Sequence, residues 1–149
     1  MGFRLRTAQA EDAKRINELF CEMLRDVYGN TAPVGYGEGG LDRFFSGGED
    51  MIYLADSEMG TVAFLSVEVH REQENYIYYD DFCVTAACRG RGIGSALMDE
   101  AEKYGRSIGI NTVVLHVEKS NKSARRLYER RGFSLLREEE TRLCLIKRQ

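Results

Sequence analysis

The sequence predicts a mixed α/β fold of the α+β type: a central, mostly antiparallel twisted sheet of about seven strands flanked by helices. Three observations lead there. Stretches of period-two alternation and stretches of helical spacing follow one another with no linker, repeat or low-complexity tract between them. Three strand-like runs succeed each other between Met51 and Val84, separated only by short turns, as in an antiparallel meander. The chain has 149 residues, 43% of them hydrophobic and 30% charged. That size and balance suit one domain, residues 1–149, able to bury a core without staples.

Each element has its own signal. "FRLRTA" (Phe3–Ala8) alternates and reads as an opening strand. In "EDAKRINELFCEMLRDVY", Ile16, Leu19, Phe20, Met23, Leu24 and Val27 recur at helical spacing, which predicts an amphipathic helix ending near Gly29. Gly29–Gly48 is glycine-rich, holds the only proline, Pro33, and reads as a loop with a short helix at "LDRFF". "MIYLAD" and "TVAFLSVEVH" are strands joined by a turn at Ser57–Gly60, and "YIYYDDFCV" (Tyr76–Val84) is a third, rich in aromatic and β-branched residues. Leu97, Ala101, Tyr104 and Ile108 line one face of the next helix, and "TVVLHV" follows as a buried strand. "SNKSARRLYERRGF" opens on N-cap residues and closes on Gly132, a good helix terminator. "FSLLREEETRLCLIK" is a final hairpin.

Composition narrows the function. No apolar run approaches the roughly 20 residues of a membrane span. The start of the chain lacks the apolar stretch of a signal peptide, so a cytoplasmic, membrane-free setting is expected. Cys21, Cys83, Cys88 and Cys144 are scattered, and His70 and His116 stand alone. These residues predict reduced thiols and no metal site, with both histidines structural or exposed. The net charge of −3 argues against nucleic-acid binding. Yet the segment Arg89–Arg131 holds ten Lys/Arg against five Asp/Glu, leaving the remainder strongly acidic.

The most informative stretch is "CRGRGIGSALM" (Cys88–Met98), where glycines and arginines stand between a strand and a helix. A helix start leaves backbone N–H groups unpaired and partly positive, and glycine lets an anion approach them. The stretch therefore reads as a phosphate cradle. It is no Walker A loop, since the G-x-x-x-x-G-K-[ST] run is missing. It is a poor dinucleotide fingerprint, since Ser95 stands where a third glycine belongs and the preceding strand follows antiparallel neighbours. It matches R-x-x-G-x-G through Arg89, Gly92 and Gly94.

Two separated segments, "DDFCVTAACRGRGIGSALMDEAEKYGRSIG" and "VVLHVEKSNKSARRLYERRGF", resemble the GNAT superfamily of acyl-CoA-dependent N-acetyltransferases. "FRLRTAQAEDAKRI" resembles that family's opening strand and helix. There are two departures. Ala86 stands where the family commonly has proline, and Cys88 where an aromatic often precedes the arginine.

The resemblance implies acetyl transfer from acetyl-CoA to an amine in a ternary complex, without a metal. Arg89, Gly90, Arg91, Gly92, Ile93, Gly94 and Ser95 would hold the pyrophosphate, and backbone groups near Cys83 and Val84 would meet the thioester carbonyl. Asn121 would contact the pantetheine or position its helix, and Tyr128 would protonate the departing thiolate. Lys122, Arg125 and Arg126 are candidates for further phosphate contacts. The amine's proton needs a carboxylate. Asp80 ranks first, since acidic residues at this point serve the amine in polyamine-type members. Asp81 ranks second and Glu68 third, because adjacent strand residues ordinarily face opposite sides, so that only one of the aspartates enters the cleft. Tyr76, Tyr78 and Tyr79 are candidates for walling an amine pocket or for sheet packing.

The acceptor is expected to be a small cationic amine. The alternatives are protein Nα- or Nε-acetylation and a non-catalytic acyl-CoA sensor. Many members of the family form dimers, and a homodimer is one expectation here. No motif in Gly29–Gly48 transfers from the family.

Overall fold

The computed structural model describes residues 2–149. Seven strands form one sheet: β1 Arg4–Thr7, β2 Met51–Ser57, β3 Gly60–His70, β4 Tyr76–Val84, β5 Thr112–Glu118, β6 Ser134–Glu138 and β7 Arg142–Arg148. Three α-helices accompany them: α1 Ala13–Asp26, α2 Ile93–Ser107 and α3 Lys122–Arg130. Short 3-10 turns cover Ala10–Asp12, Asp42–Phe44 and Ala86–Cys88, so "LDRFF" forms a single tight turn rather than a helix. The strands lie in the order β1-β2-β3-β4-β5-β7-β6. Every neighbouring pair is antiparallel except β4 and β5, which are joined through α2.

The sheet is covered on both faces, so β3 carries a continuous buried run from Val62 to Val67 instead of alternating with solvent. On one face Ile52, Leu54, Phe64 and Cys83 pack with Ile16 and Leu19 of α1 and with Leu41 and Phe44. On the other face Leu65, Val67, Ile77, Tyr79, Val113 and Leu115 meet Leu97, Met98 and Ala101 of α2 and Tyr128 of α3. Phe64 is fully buried, and removing such a side chain costs about 3–5 kcal/mol.

Among the described residues, one charged side chain is buried. Glu102 of α2 accepts from Lys147 Nζ at 2.6 Å and from Arg131 Nη2 at 2.9 Å, which ties α2 to β7 and to the end of α3. A buried carboxylate needs such partners, and removing either one would leave it uncompensated.

Two irregularities shape the site. The β4–β5 ladder pairs Ile77 with Val113, Tyr78 with Val114 and Tyr79 with Leu115, and goes no further. Beyond it the strands part into a fork. On the opposite edge of β4 the register with β3 shifts between Leu65 and Val67: Leu65 faces Phe82 while Val67 faces Tyr79. Asp80 and Asp81 together therefore oppose Ser66 alone, which is a β-bulge.

Candidate active site

The fork opens into a cavity of about 510 Å³ bounded by β4, β5, the loop before α2, the end of α1 and α3. Its backbone chemistry follows from register. Thr85 N donates to Val62 O at 2.8 Å, which makes Thr85–Val62 a hydrogen-bonded pair and, two residues back, Cys83–Phe64 another. The alternate amides, those of Phe82 and Val84, turn toward the fork, where β5 no longer pairs with them. Val84 O accepts from Arg89 Nε at 2.8 Å. The Val84 amide is thus a fixed N–H donor facing the cavity.

Cys83 is a correction to the expectation. Its amide is committed to β3, and its side chain packs with α1, where the thiol meets Met23 Sδ at 3.4 Å. Burial pushes that thiol far up, Asp81 and Glu22 add to the effect, and the group stays protonated.

The glycine loop lies over the same opening. Gly92 is the N-cap of α2 with φ 82°, a conformation that favours glycine, and no side chain caps the helix. The first intrahelical bond runs from Ala96 N to Gly92 O at 3.0 Å, which leaves the amides of Ile93, Gly94 and Ser95 without helical partners. A Cβ on Gly94 would come 2.7 Å from Phe82 Cζ, so bare backbone at this position lets α2 close against β4. Arg89, Gly90, Gly92, Ile93, Gly94 and Ser95 line the cavity. Arg91 is exposed and does not line it.

The departure at Ala86 has a physical reason here. Glu22 of α1 accepts from Thr85 Oγ1 at 2.8 Å and from Ala86 N at 3.0 Å, and a proline would lack that second donor.

From α3, Asn121, Ala124, Leu127 and Tyr128 face the cavity, while Lys122, Arg125 and Arg126 do not. Asn121 caps the helix by accepting from Ala124 N at 3.3 Å. Tyr128 is 7% exposed, packs edge-on to Phe133, and has a phenol raised mainly by burial, with Tyr28 and Cys83 as further causes.

The bulge overturns the expectation that only one aspartate enters the cleft, since Asp80 and Asp81 both line the cavity. Asp81 accepts from the Tyr36 hydroxyl, and burial raises its carboxyl while that bond opposes the rise. Asp80 keeps 38% of its side chain exposed and lies 3.5 Å from Arg43. Burial, then Asp81 and Glu68, lift its carboxyl to about 6. Arg43 also pairs with Glu68, so its guanidinium bridges two carboxylates, and its charge bears on Asp81 as well.

Tyr36 and Arg43 come from the loop that carried no motif. His116 is another residue whose place was not foreseen: it lines the cavity, lies 2.7 Å from the Tyr78 hydroxyl and 3.0 Å from Glu139. Tyr79 lines the cavity from the core side, and Tyr76 stacks on His70 at 4.6 Å.

Free donors at a strand fork, beside an uncapped helix start that accepts anions, suit transfer of an acyl group from a phosphate-bearing carrier. The chain belongs to the acetyltransferase (GNAT) family, whose sequence profile matches residues 10–133. It is an N-acetyltransferase by class.

Among curated relatives, YwnH of Bacillus subtilis (strain 168), provisionally named a phosphinothricin acetyltransferase, is 30% identical over 142 residues, covering 87% of this chain and 83% of its own. YhfO of the same organism, an uncharacterized N-acetyltransferase, is 30% identical over 144 residues, covering 92% and 91%. Among solved structures, the PaiA N-acetyltransferase of Thermoplasma acidophilum in complex with coenzyme A superposes over 100% of both chains with a TM-score of 0.83 at 17% identity. At that identity the likeness speaks for the fold.

Proposed function

We propose that this enzyme moves an acetyl group from acetyl-CoA to a primary amine on a small cationic acceptor, by direct attack in a ternary complex, and that residues 1–149 form one catalytic domain. Acetyl-CoA supplies the activated thioester. The amides at the start of α2, with Arg89 beside them, hold its pyrophosphate, and the Val84 amide donates to the carbonyl oxygen as negative charge develops there. Asp80 takes the amine's proton, directly or through water, while Asp81 and Glu68 favour a cation at the entrance. Tyr128 stays protonated and gives a proton to the leaving thiolate.

The observation that carries the choice of acceptor is the cluster of Glu68, Asp80 and Asp81 around the single Arg43, at the edge of the cavity. The protonated thiol of Cys83, facing away from the cavity, supports direct attack over a covalent relay. The test is release of free coenzyme A thiol from acetyl-CoA across a panel of polyamines, aminoglycosides, amino acids and short peptides. Turnover led by polycationic small amines supports the reading, and turnover confined to peptides would replace it with protein acetylation.

A further inference from the structure

Between Gly29 and Gly48 the chain carries one cation, Arg43, in a tight turn whose backbone is tied down. Phe44 N donates to Leu41 O and Phe45 N to Asp42 O, each at 3.0 Å, and the Leu41 and Phe44 side chains are buried with Ile16 and Leu19 of α1. Ser46 Oγ donates to Arg43 O at 3.1 Å. Further back the loop is pinned by Tyr36, whose ring stacks on Phe20 at 4.4 Å and whose hydroxyl donates to Asp81. The Arg43 side chain, by contrast, remains 49% exposed, a long arm on a fixed base.

What the arm reaches is a site for a positive nitrogen. One atom, Nη2, faces both Glu68 Oε2 of β3 and Asp80 Oδ2 of β4, the latter at 3.5 Å. The guanidinium carbon stands 4.5 Å from the centre of the Phe44 ring. Two carboxylates from adjacent strands and an aromatic face are partners that also suit an alkylammonium group. The neighbourhood is short of positive charge. His70 Nε2 lies 3.3 Å from the other oxygen of Glu68, Asp81 takes its hydrogen bond from a phenol, and among the described residues no other Lys or Arg pairs with Glu68, Asp80 or Asp81. Asp80 belongs to two places at once. It lines the cavity, and it holds Arg43, which with Glu68 stands outside that lining. The Arg43 site is thus one carboxylate away from the place of the reacting amine.

We infer that the Arg43 guanidinium is a built-in occupant of a subsite for the acceptor's second positive charge, and that a diamine or longer polyamine displaces it on binding. This rests on the acetyl-transfer reading above. The contact inhibits by mass action: only molecules whose Arg43 has swung out take the second charge, and the apparent affinity falls with the fraction that is open. A half-exposed ion pair favours its closed form by up to about fivefold. A polycation overcomes this because it brings the same charge together with contacts in the cavity. An acceptor with a single charge meets Asp80 from the cavity side and leaves Arg43 in place.

Two measurements test it. In steady-state kinetics a straight-chain diamine is compared with the monoamine of equal length. Arg43→Ala and Arg43→Gln each lower KM for the diamine about fivefold and leave KM for the monoamine and for acetyl-CoA within about twofold. Methylguanidinium added to Arg43→Ala competes with the diamine and not with the monoamine, and Arg43→Lys, which returns a cation to the loop, raises the diamine KM again. A diamine KM unchanged or raised in Arg43→Ala overturns the inference, as does an equal fall for both amines, the mark of long-range charge alone. In calorimetry the diamine is titrated into the enzyme saturated with coenzyme A, and Arg43→Ala tightens its binding by the same factor. Acetylated diamine whose formation and binding ignore Arg43 sinks the inference alone. Tighter diamine binding in Arg43→Ala, with no acetylated product from any amine, upholds the displaced cation and sinks the acetyl-transfer reading.

Discussion

Substituting Asp80 by asparagine isolates the proposed base. With its carboxyl near 6, Asp80 is about 90% ionised at pH 7 and about 10% ionised at pH 5. If it takes the amine's proton, kcat/KM of the unsubstituted enzyme falls about tenfold between those pH values, in proportion to the ionised share. Asp80→Asn removes the acceptor and lowers kcat/KM at pH 7 by about 10²-fold, the lower end of general-base effects. It also removes the inflection near pH 6.

Stability moves the other way. The native carboxyl binds its proton more tightly than the unfolded chain, whose ordinary value is 3.8. Its contribution is therefore full below about pH 4 and is lost as the pH rises through about 6. Above pH 6 the charged form is a burden on the fold, and Asp80→Asn relieves it. With 38% of the side chain exposed, water screens most of that burden, so the gain is about 1 kcal/mol or less, a rise in Tm of about 3 °C. The assays are thiol release from acetyl-CoA across pH 5–9 and thermal unfolding at pH 7.5. An Asp80→Asn enzyme that kept its kcat/KM and its inflection near pH 6 would refute the assignment.

Other outcomes follow from the same geometry. Gly94→Ala drives a methyl group toward the Phe82 ring, whose contact lies at 2.7 Å, and should cost about 1–3 kcal/mol in denaturant unfolding and raise KM for acetyl-CoA. Cys83→Ala keeps kcat within about twofold, since the thiol faces Met23 and stays protonated, and mass spectrometry finds no acetylated enzyme intermediate. Glu102→Ala leaves Arg131 and Lys147 without their shared buried partner and destabilises by about 3–5 kcal/mol in urea titration. Tyr128→Phe lowers kcat about 10²-fold with little change in stability, because the ring contact with Phe133 survives the loss of the hydroxyl.

Element order was legible because each segment states its own period. Alternation in Phe3–Ala8, the aromatic and β-branched run of Tyr76–Val84, and helical spacing in α1 and α2 need no knowledge of partners. The glycine loop was legible for a similar reason: Gly92 and Gly94 act through backbone that is local to one turn. What escaped was everything set by register or by distant pairing. Alternation put Asp80 and Asp81 on opposite sides, and only the shift of β4 against β3 brings both to the cavity. Tyr36 reaches Asp81 across 45 residues from a loop with no periodicity. His116 looked solitary because Tyr78 lies 38 residues away and Glu139 lies 23 away. Cys83 shared a motif with Val84, yet neighbouring strand amides point to opposite edges, and only the pairing with Phe64 and Val62 shows which one faces the fork.

The proposed activity is delivery of acetyl groups to small cationic amines. Its most direct test is a competition: enzyme and acetyl-CoA with an equimolar mixture of a polyamine, an aminoglycoside, a neutral amino acid and an unstructured peptide, with acetylated products counted by mass spectrometry. Polyamine and aminoglycoside products should dominate, and their excess should shrink when Asp80 and Asp81 are both changed to asparagine. Acetylated peptide as the main product, unaffected by those substitutions, would contradict it.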